Sequence, residues 1–146
     1  MKLHLKEEGS WAGILFDLVI SSGEVVFAGH ESYAGRLPGK FTLREGSLER
    51  LEAAFGLLEL PCWKPVYRPE DIGSVVDDGE SWSLDVEFGG VRVSSRGSNA
   101  YPSFKLATET SLFGERWNLL REAVFSTLDF SVPFGWSRSS DRKIIH

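Results

Sequence analysis

The acidic residues of this 146-residue chain are concentrated in one segment, where carboxylates could bind a cation or a basic protein. Five of them lie between Pro69 and Glu80 with no Lys or Arg among them: Glu70, Asp71, Asp77, Asp78 and Glu80. With these five removed from the 21 acidic residues, 16 remain against 16 Lys and Arg, so the segment carries the whole net charge of −5. Neighbouring carboxylates attract hard cations, but Asp77-Asp78-Gly79-Glu80 lacks the spacing of a calcium loop, and we predict no metal site.

An acidic surface of this kind favours a basic protein partner. It disfavours nucleic acid, because binding to phosphates requires clustered Lys and Arg. Trp63 and Tyr67 precede the acidic residues and could supply the aromatic anchors that dominate many interfaces. We therefore predict a non-enzymatic interaction protein that uses these two rings and the five acids. One concrete version is an immunity protein for a basic bacterial toxin; the alternative is a solvated loop that binds nothing.

A second group of residues could bind a small ligand and is the basis of an alternative function, as a small-ligand-binding or enzymatic domain. Arg96, Asn99 and Tyr101 would present a guanidinium, an amide and a phenol at the end of a strand. The structural alternative is that Asn99 bonds the local backbone, as is common at strand exits, while Tyr101 closes the end of the sheet.

No catalytic residue and no cofactor are predicted. His4, His30 and His146 are far apart, and the chain has neither a Gly-x-Ser-x-Gly motif nor a phosphate-binding glycine loop. The single cysteine, Cys62, permits no internal disulfide and favours a reducing compartment. The charged N-terminus does not resemble a signal peptide, and the longest apolar run is shorter than a membrane span. We predict a cytoplasmic protein without membrane association.

Two predicted hairpins would position these residues. A turn at Gly89-Gly90 pairs Phe88 with Val91 and Trp82 with Gly97, which places the apolar residues on one face. A turn at Ser22-Gly23 forms the other hairpin, within residues 14–29, by pairing Ile20 with Val25 and Leu18 with Phe27.

The remaining elements complete an α+β prediction. A third strand is expected over residues 40–44, one helix with Ser47 as its N-cap that stops before Pro61, and a second helix over residues 111–128. Residues 129–146 could add an edge strand, through which a homodimer could form, before a frayed tail. The predicted fold is a single domain over residues 1–146. It has a single antiparallel sheet, built from two hairpins plus one or two short strands, with both helices on one face.

One pattern in the sequence resembles a known group of proteins. It consists of Asp78-Gly79-x-x-Trp82-x-Leu84-x-Val86, a short hairpin, and Gly97-x-Asn99-x-Tyr101-Pro102 before a helix. This pattern resembles a group of small, uncharacterised bacterial proteins, and the resemblance covers residues 16–128. It implies a bacterial α+β domain and assigns no catalytic residue.

Overall fold

The computed structural model describes residues 1–9, 13–29, 39–75 and 79–127. Within these residues the chain forms a seven-stranded sheet, a separate two-stranded sheet and two α-helices. The large sheet contains β1 (Lys2–Gly9), β2 (Gly13–Ser21), β3 (Glu24–Gly29), β4 (Gly39–Thr42), β5 (Val66–Tyr67), β6 (Glu80–Phe88) and β7 (Val91–Ser98). The small sheet contains β8 (Tyr101–Pro102) and β9 (Thr110–Ser111); the helices are α1 (Ser47–Leu57) and α2 (Glu115–Thr127). Two short 3₁₀ helices span Leu60–Cys62 and Pro69–Ile72.

The large sheet is mixed, so the prediction of a single antiparallel sheet is wrong. The strand order is β4-β3-β2-β1-β6-β7-β5, and β5 pairs with β7 in parallel. The chain reaches this edge through Pro65, whose carbonyl oxygen accepts a hydrogen bond of 3.0 Å from the Arg96 amide. β5 is only two residues long, so it has no periodicity from which the sequence could have predicted it. β8 and β9 form the second sheet, which was also not predicted.

The pairing predicted for both hairpins is confirmed. In β6 and β7, Phe88 lies opposite Val91 and Trp82 opposite Gly97. Gly89 and Gly90 both have positive φ, as the tight turns of two-residue hairpins require. In β2 and β3, the pairs are those predicted around the turn at Ser22-Gly23.

β1 lies at the centre of the large sheet and joins the two hairpins. It is antiparallel to β2 on one side and to β6 on the other. Residues 2–6 alternate between polar and apolar, which is typical of a strand with one buried face. The alternation ends at Glu7, a charged residue in a position that faces the core, and this strand was therefore not predicted.

Both helices pack on one face of the large sheet, which we call the covered face. On α2, Phe125 makes edge contacts with Phe16 and Phe27, and on α1 Phe55 contacts Phe88. Aromatic pairs of this geometry add to the stabilisation from apolar burial. α2 begins at Glu115, four residues later than predicted, because Thr110–Ser111 belong to β9.

The described residues share one hydrophobic core, which includes both hairpins and both helices. The predicted edge strand and tail at residues 129–146 lie outside the described residues, as does the dimer contact based on them. Neither of the two described helices is long and apolar enough to cross a membrane.

Candidate functional site

The face of the large sheet opposite the helices, which we call the open face, carries polar side chains along its central strands. Side chains alternate between the two faces of a strand, so every second residue of β1, β6 and β7 belongs to it. These residues are Lys2, His4, Lys6 and Glu8; Ser81, Ser83, Asp85 and Glu87; and Arg92, Ser94, Arg96 and Ser98. All of them are at least partly exposed.

A groove of about 350 Å³ lies on the open face where β1, β6, β7 and β5 run side by side; we call it the edge groove. Its lining residues are Lys6, Glu8, Val66, Tyr67, Arg68, Ser81, Trp82, Ser83, Arg96, Gly97 and Ser98. Three of these residues are cationic, one is acidic, and three carry serine hydroxyls. A hollow of this composition can bind an anion through charge-assisted hydrogen bonds.

The strand register explains why this groove exists. Ser83 lies between Lys6 on β1 and Arg96 on β7, and Arg96 in turn lies beside Val66 on β5. Adjacent strands are about 4.8 Å apart, which separates the Lys6 and Arg96 backbones by about 10 Å. A short serine between two long cationic side chains leaves a depression. Both cations can therefore reach a ligand that sits above Ser83.

The charge of the edge groove is only partly balanced. Lys6 Nζ lies 3.0 Å from Glu8 Oε1, so these two side chains form an ion pair. Neither Arg68 nor Arg96 forms an ion pair with any acidic residue that the structure describes. The groove is thus cationic, although the chain as a whole is acidic.

A second groove, of about 250 Å³, lies at the other end of the same strands. Its charges are largely compensated. Glu87 lies between Lys2 and Arg92 in the sheet register, and His4 Nε2 is 2.7 Å from Asp17 Oδ1. This groove therefore has no excess of one charge that would select an ionic ligand.

The two predicted aromatic anchors, Trp63 and Tyr67, are buried in the core. Trp63 Nε1 donates a hydrogen bond of 2.9 Å to the Leu58 carbonyl oxygen, and its ring meets Trp82 edge-on. The Tyr67 hydroxyl donates to the Ala107 carbonyl oxygen and accepts from the Lys64 amide. Burial raises the pKa of Tyr67 to about 12. In this conformation neither ring offers a surface to a partner.

The five predicted acidic contacts have different surroundings. Glu70 and Glu80 are exposed, whereas Asp77 and Asp78 lie outside the described residues. The Asp71 carboxylate accepts hydrogen bonds from Thr110 Oγ1 at 2.8 Å, the Arg68 amide at 3.1 Å and Lys64 Nζ at 3.2 Å. These hydrogen bonds lower the pKa of Asp71 to about 2, and the bond from Thr110 has the largest effect. Asp71 thus ties the short 3₁₀ helix to β9.

The structure does not bring Arg96, Asn99 and Tyr101 together in one pocket. Arg96 lines the edge groove, but the other two do not. Asn99 has a φ of 55°, and its Oδ1 accepts a hydrogen bond of 3.1 Å from the Glu80 amide. The Tyr101 ring stacks on Trp82, with 6.2 Å between centroids. Tyr101 therefore packs at the sheet end, as in the structural alternative, whereas the Asn99 side chain bonds the backbone at the start of β6 rather than its own.

The motif that carries the family resemblance closes this end of the sheet. A Cβ at Gly97 would overlap both the Ala100 carbonyl oxygen and Trp82 Nε1, which are joined by a hydrogen bond of 2.8 Å. A Cβ at Gly79 would overlap the Asn99 amide group. The two glycines are thus explained by close approach of these side chains.

A buried ionic cluster on the covered face was not predicted from the sequence. Glu7 accepts hydrogen bonds from Trp117 Nε1 at 2.6 Å and from Arg121, whose nearest nitrogen lies 3.0 Å from Glu7 Oε2. Burial raises the pKa of Glu7 despite the opposing effect of Arg121. The cluster fixes α2 to β1. The polar-apolar alternation over residues 2–6 could have revealed that Glu7 faces the core.

No family model matches this sequence, and a search of curated proteins finds no similar sequence. The resemblance to small bacterial proteins therefore stays a prediction. Among the residues that the structure describes, no group of three or more His, Cys, Asp or Glu residues is placed to hold a metal ion.

Proposed function

We propose that this chain is a binding protein whose ligand site is the edge groove and whose ligand is a small anion. The observation that carries the proposal is the placement of Lys6 and Arg96 on either side of Ser83, with Arg68 at the same groove. Arginine and lysine side chains around hydroxyl donors are the groups that proteins use to hold anions. A groove of about 350 Å³ is at the small end of the range for ligand sites.

Arg96 provides the sharpest test because Arg92 is a matched control. The two arginines lie on the same strand and the same face, but only Arg96 lines the edge groove. A panel of small carboxylates, sulfates and phosphates is titrated into ¹⁵N-labelled protein. We expect saturable shifts of the Ser83 and Arg96 amides that are lost in Arg96→Ala and kept in Arg92→Ala. Equal loss in both variants, or no shift with any anion, would contradict the proposal.

A second candidate function is binding of a basic protein by the acidic segment. Exposure of Glu70 and Glu80, together with the placement of the whole net charge in residues 70–80, supports it. In this version the chain is a cytoplasmic immunity protein for a cationic bacterial toxin. Long-range attraction between opposite charges would speed the encounter.

The acidic-segment candidate is tested by charge reversal. Asp77→Lys combined with Asp78→Lys should abolish salt-sensitive capture of a basic protein from the source cell. Glu115→Lys, an exposed change on α2, is the control and should retain capture. Unchanged capture by the double variant would rule out a role for these two carboxylates.

A further inference from the structure

We infer that the edge groove binds the phosphoryl group of a small phosphorylated compound. The inference rests on the proposed function of the groove as an anion site and adds the class of anion. It is drawn from the number, type and positions of the donors around Ser83.

The edge groove has more hydrogen-bond donors and more positive charge than the two oxygens and single charge of a carboxylate can use. Lys6, Arg68 and Arg96 supply an ammonium and two guanidinium groups, and three serines supply hydroxyls. A carboxylate has two oxygens and one charge, whereas a phosphate monoester has three terminal oxygens and nearly two charges at neutral pH. Guanidinium groups also match phosphate oxygens in a bidentate geometry. The groove therefore suits a phosphate better than a carboxylate.

The register defines where the phosphoryl group would sit. Ser83 is flanked by the two cations Lys6 and Arg96, so its hydroxyl marks the centre of the site. Arg68 follows the edge strand β5 and closes the groove on that side. Val66, beside Arg96, offers the apolar contact that an organic group attached to the phosphate would use.

The size and lining of the groove favour a small molecule over a nucleic acid. Proteins that bind single strands stack bases on exposed aromatic rings. The two aromatic residues that line the edge groove, Tyr67 and Trp82, are 0% and 3% exposed. A volume of about 350 Å³ holds a phosphate with a short organic group rather than a polymer.

Substitution of Glu8 should change the affinity for phosphate in the direction opposite to substitution of Arg96. Its carboxylate lies in the groove and pairs with Lys6 at 3.0 Å, so it competes with an incoming phosphate for that cation. Removing its charge in Glu8→Gln should tighten phosphate binding, by about threefold, while Arg96→Ala should weaken it by about tenfold or more. A general loss of structure would not produce changes in both directions.

The experiment is a titration of the full ¹⁵N-labelled chain with inorganic phosphate, O-phosphoserine and succinate at constant ionic strength. We expect O-phosphoserine to shift the Ser83 and Arg96 amides with a Kd at least about tenfold below that of succinate. Arg92→Ala should bind as the unmodified chain does. Amide dispersion in each variant verifies that it is folded, and Arg96→Lys replaces Arg96→Ala if the latter unfolds.

The outcomes separate the inference from the proposed function. Equal affinity for succinate and O-phosphoserine would overturn phosphate selectivity but leave the groove an anion site. Absence of binding by all three anions would overturn both. Tighter binding of inorganic phosphate than of O-phosphoserine would assign the groove to free phosphate and overturn the phosphorylated compound.

Discussion

Glu7 and Glu8 are neighbours on β1, yet they lie on opposite faces of the sheet and have different roles. Glu7 is 2% exposed on the covered face, where Trp117 and Arg121 donate hydrogen bonds to it. Glu8 lies on the open face and pairs with Lys6 in contact with water. One residue type in one strand thus forms a buried ionic contact on one side and a solvated pair on the other.

The difference shows how this sheet separates stability from binding. On the covered face a charge must be matched, because an unpaired carboxylate in the core costs several kcal/mol, of order 3–5 when its partner is removed. On the open face an unmatched cation is solvated at little cost and remains available to a ligand. We therefore expect changes to the covered face to alter the free energy of unfolding, and changes to the open face to alter binding.

The largest effect should come from the buried pair. Arg121→Leu leaves the Glu7 carboxylate without its cation, and we expect a loss of about 3–5 kcal/mol in the free energy of unfolding at pH 8. Urea denaturation measures it. Lys6→Leu removes the partner of Glu8 and is the matched control, with an expected loss of no more than about 1 kcal/mol. Similar losses in the two variants would remove the distinction between the faces. Glu7→Leu combined with Arg121→Leu should recover much of the stability.

The second-largest effect on stability should come from packing against the covered side of β7. Gly97→Ala would force apart Trp82 and the Ala100 carbonyl oxygen, and we expect a loss of about 2–3 kcal/mol. Gly56→Ala in α1 is the control, because its new Cβ would have no heavy atom within 4 Å apart from its chain neighbours and the adjacent helix backbone. It should stabilise the protein by up to about 1 kcal/mol, since alanine is the better helix former. A smaller loss in Gly97→Ala than in an open-face variant would contradict the role given to this glycine.

Two carboxylates should affect the pH dependence of stability in opposite directions. Burial raises the folded-state pKa of Glu7, so its contribution is present below its ordinary pKa and is lost as the pH rises through the folded value. The stability of the unmodified chain relative to Glu7→Gln should therefore fall as the pH rises above about 4.5. Asp71 has its pKa lowered to about 2 from 3.8, so its contribution is present above pH 3.8 and is lost as the pH falls toward 2.

Denaturation of the unmodified chain, Glu7→Gln and Asp71→Asn across pH 2–8 checks both slopes. Asp71→Asn should have a lower free energy of unfolding than the unmodified chain near neutral pH, and this difference should shrink as the pH falls toward 2. The free energy of unfolding of Glu7→Gln, relative to the unmodified chain, should rise from acid to neutral pH. If the contributions of both residues to stability changed in the same direction with pH, the environments assigned to them would be contradicted.

The smallest effect on stability is expected at the open face. Arg96→Ala should change the free energy of unfolding by less than about 0.5 kcal/mol, because the side chain is exposed and forms no ion pair with a described acid. The same variant should lose anion binding. Scanning calorimetry and isothermal titration calorimetry on one preparation of the variant measure its stability and its anion affinity. A large loss of stability would mean that Arg96 supports the fold rather than a ligand.

Local patterns were sufficient to predict the two hairpins and, to within one residue, the start of α1. Ser47 was expected as the N-cap of this helix, but it is the first helical residue, and the N-cap is Gly46 with its positive φ. The hairpins could be predicted because turn residues at Ser22-Gly23 and Gly89-Gly90, with an apolar residue at every second position next to each turn, specify both the turn and the register. β1 shows the same alternation but is interrupted by Glu7, and β5 is too short to show any. The mixed sheet was therefore mistaken for an antiparallel one.

The candidate site was only partly predictable. Arg96 was identified from the sequence, but its expected neighbours Asn99 and Tyr101 help to close the sheet end instead. Its actual neighbours across the groove, Ser83 and Lys6, come from two other strands. Trp63 and Tyr67 were expected at a surface because aromatic residues near acids resemble an interface, whereas the core contains both.

By itself the sequence determined which residues of each hairpin share a face, because that depends on the two-residue period of a strand and on the turn between neighbouring segments. Only the tertiary structure decided that β1 lies between the hairpins and that β5 lies beside β7. These choices brought Lys6, Ser83 and Arg96 into one row and placed Glu7 beneath α2. The physical reason is that pairing between distant strands is selected by the packing of the whole core, which no local pattern encodes.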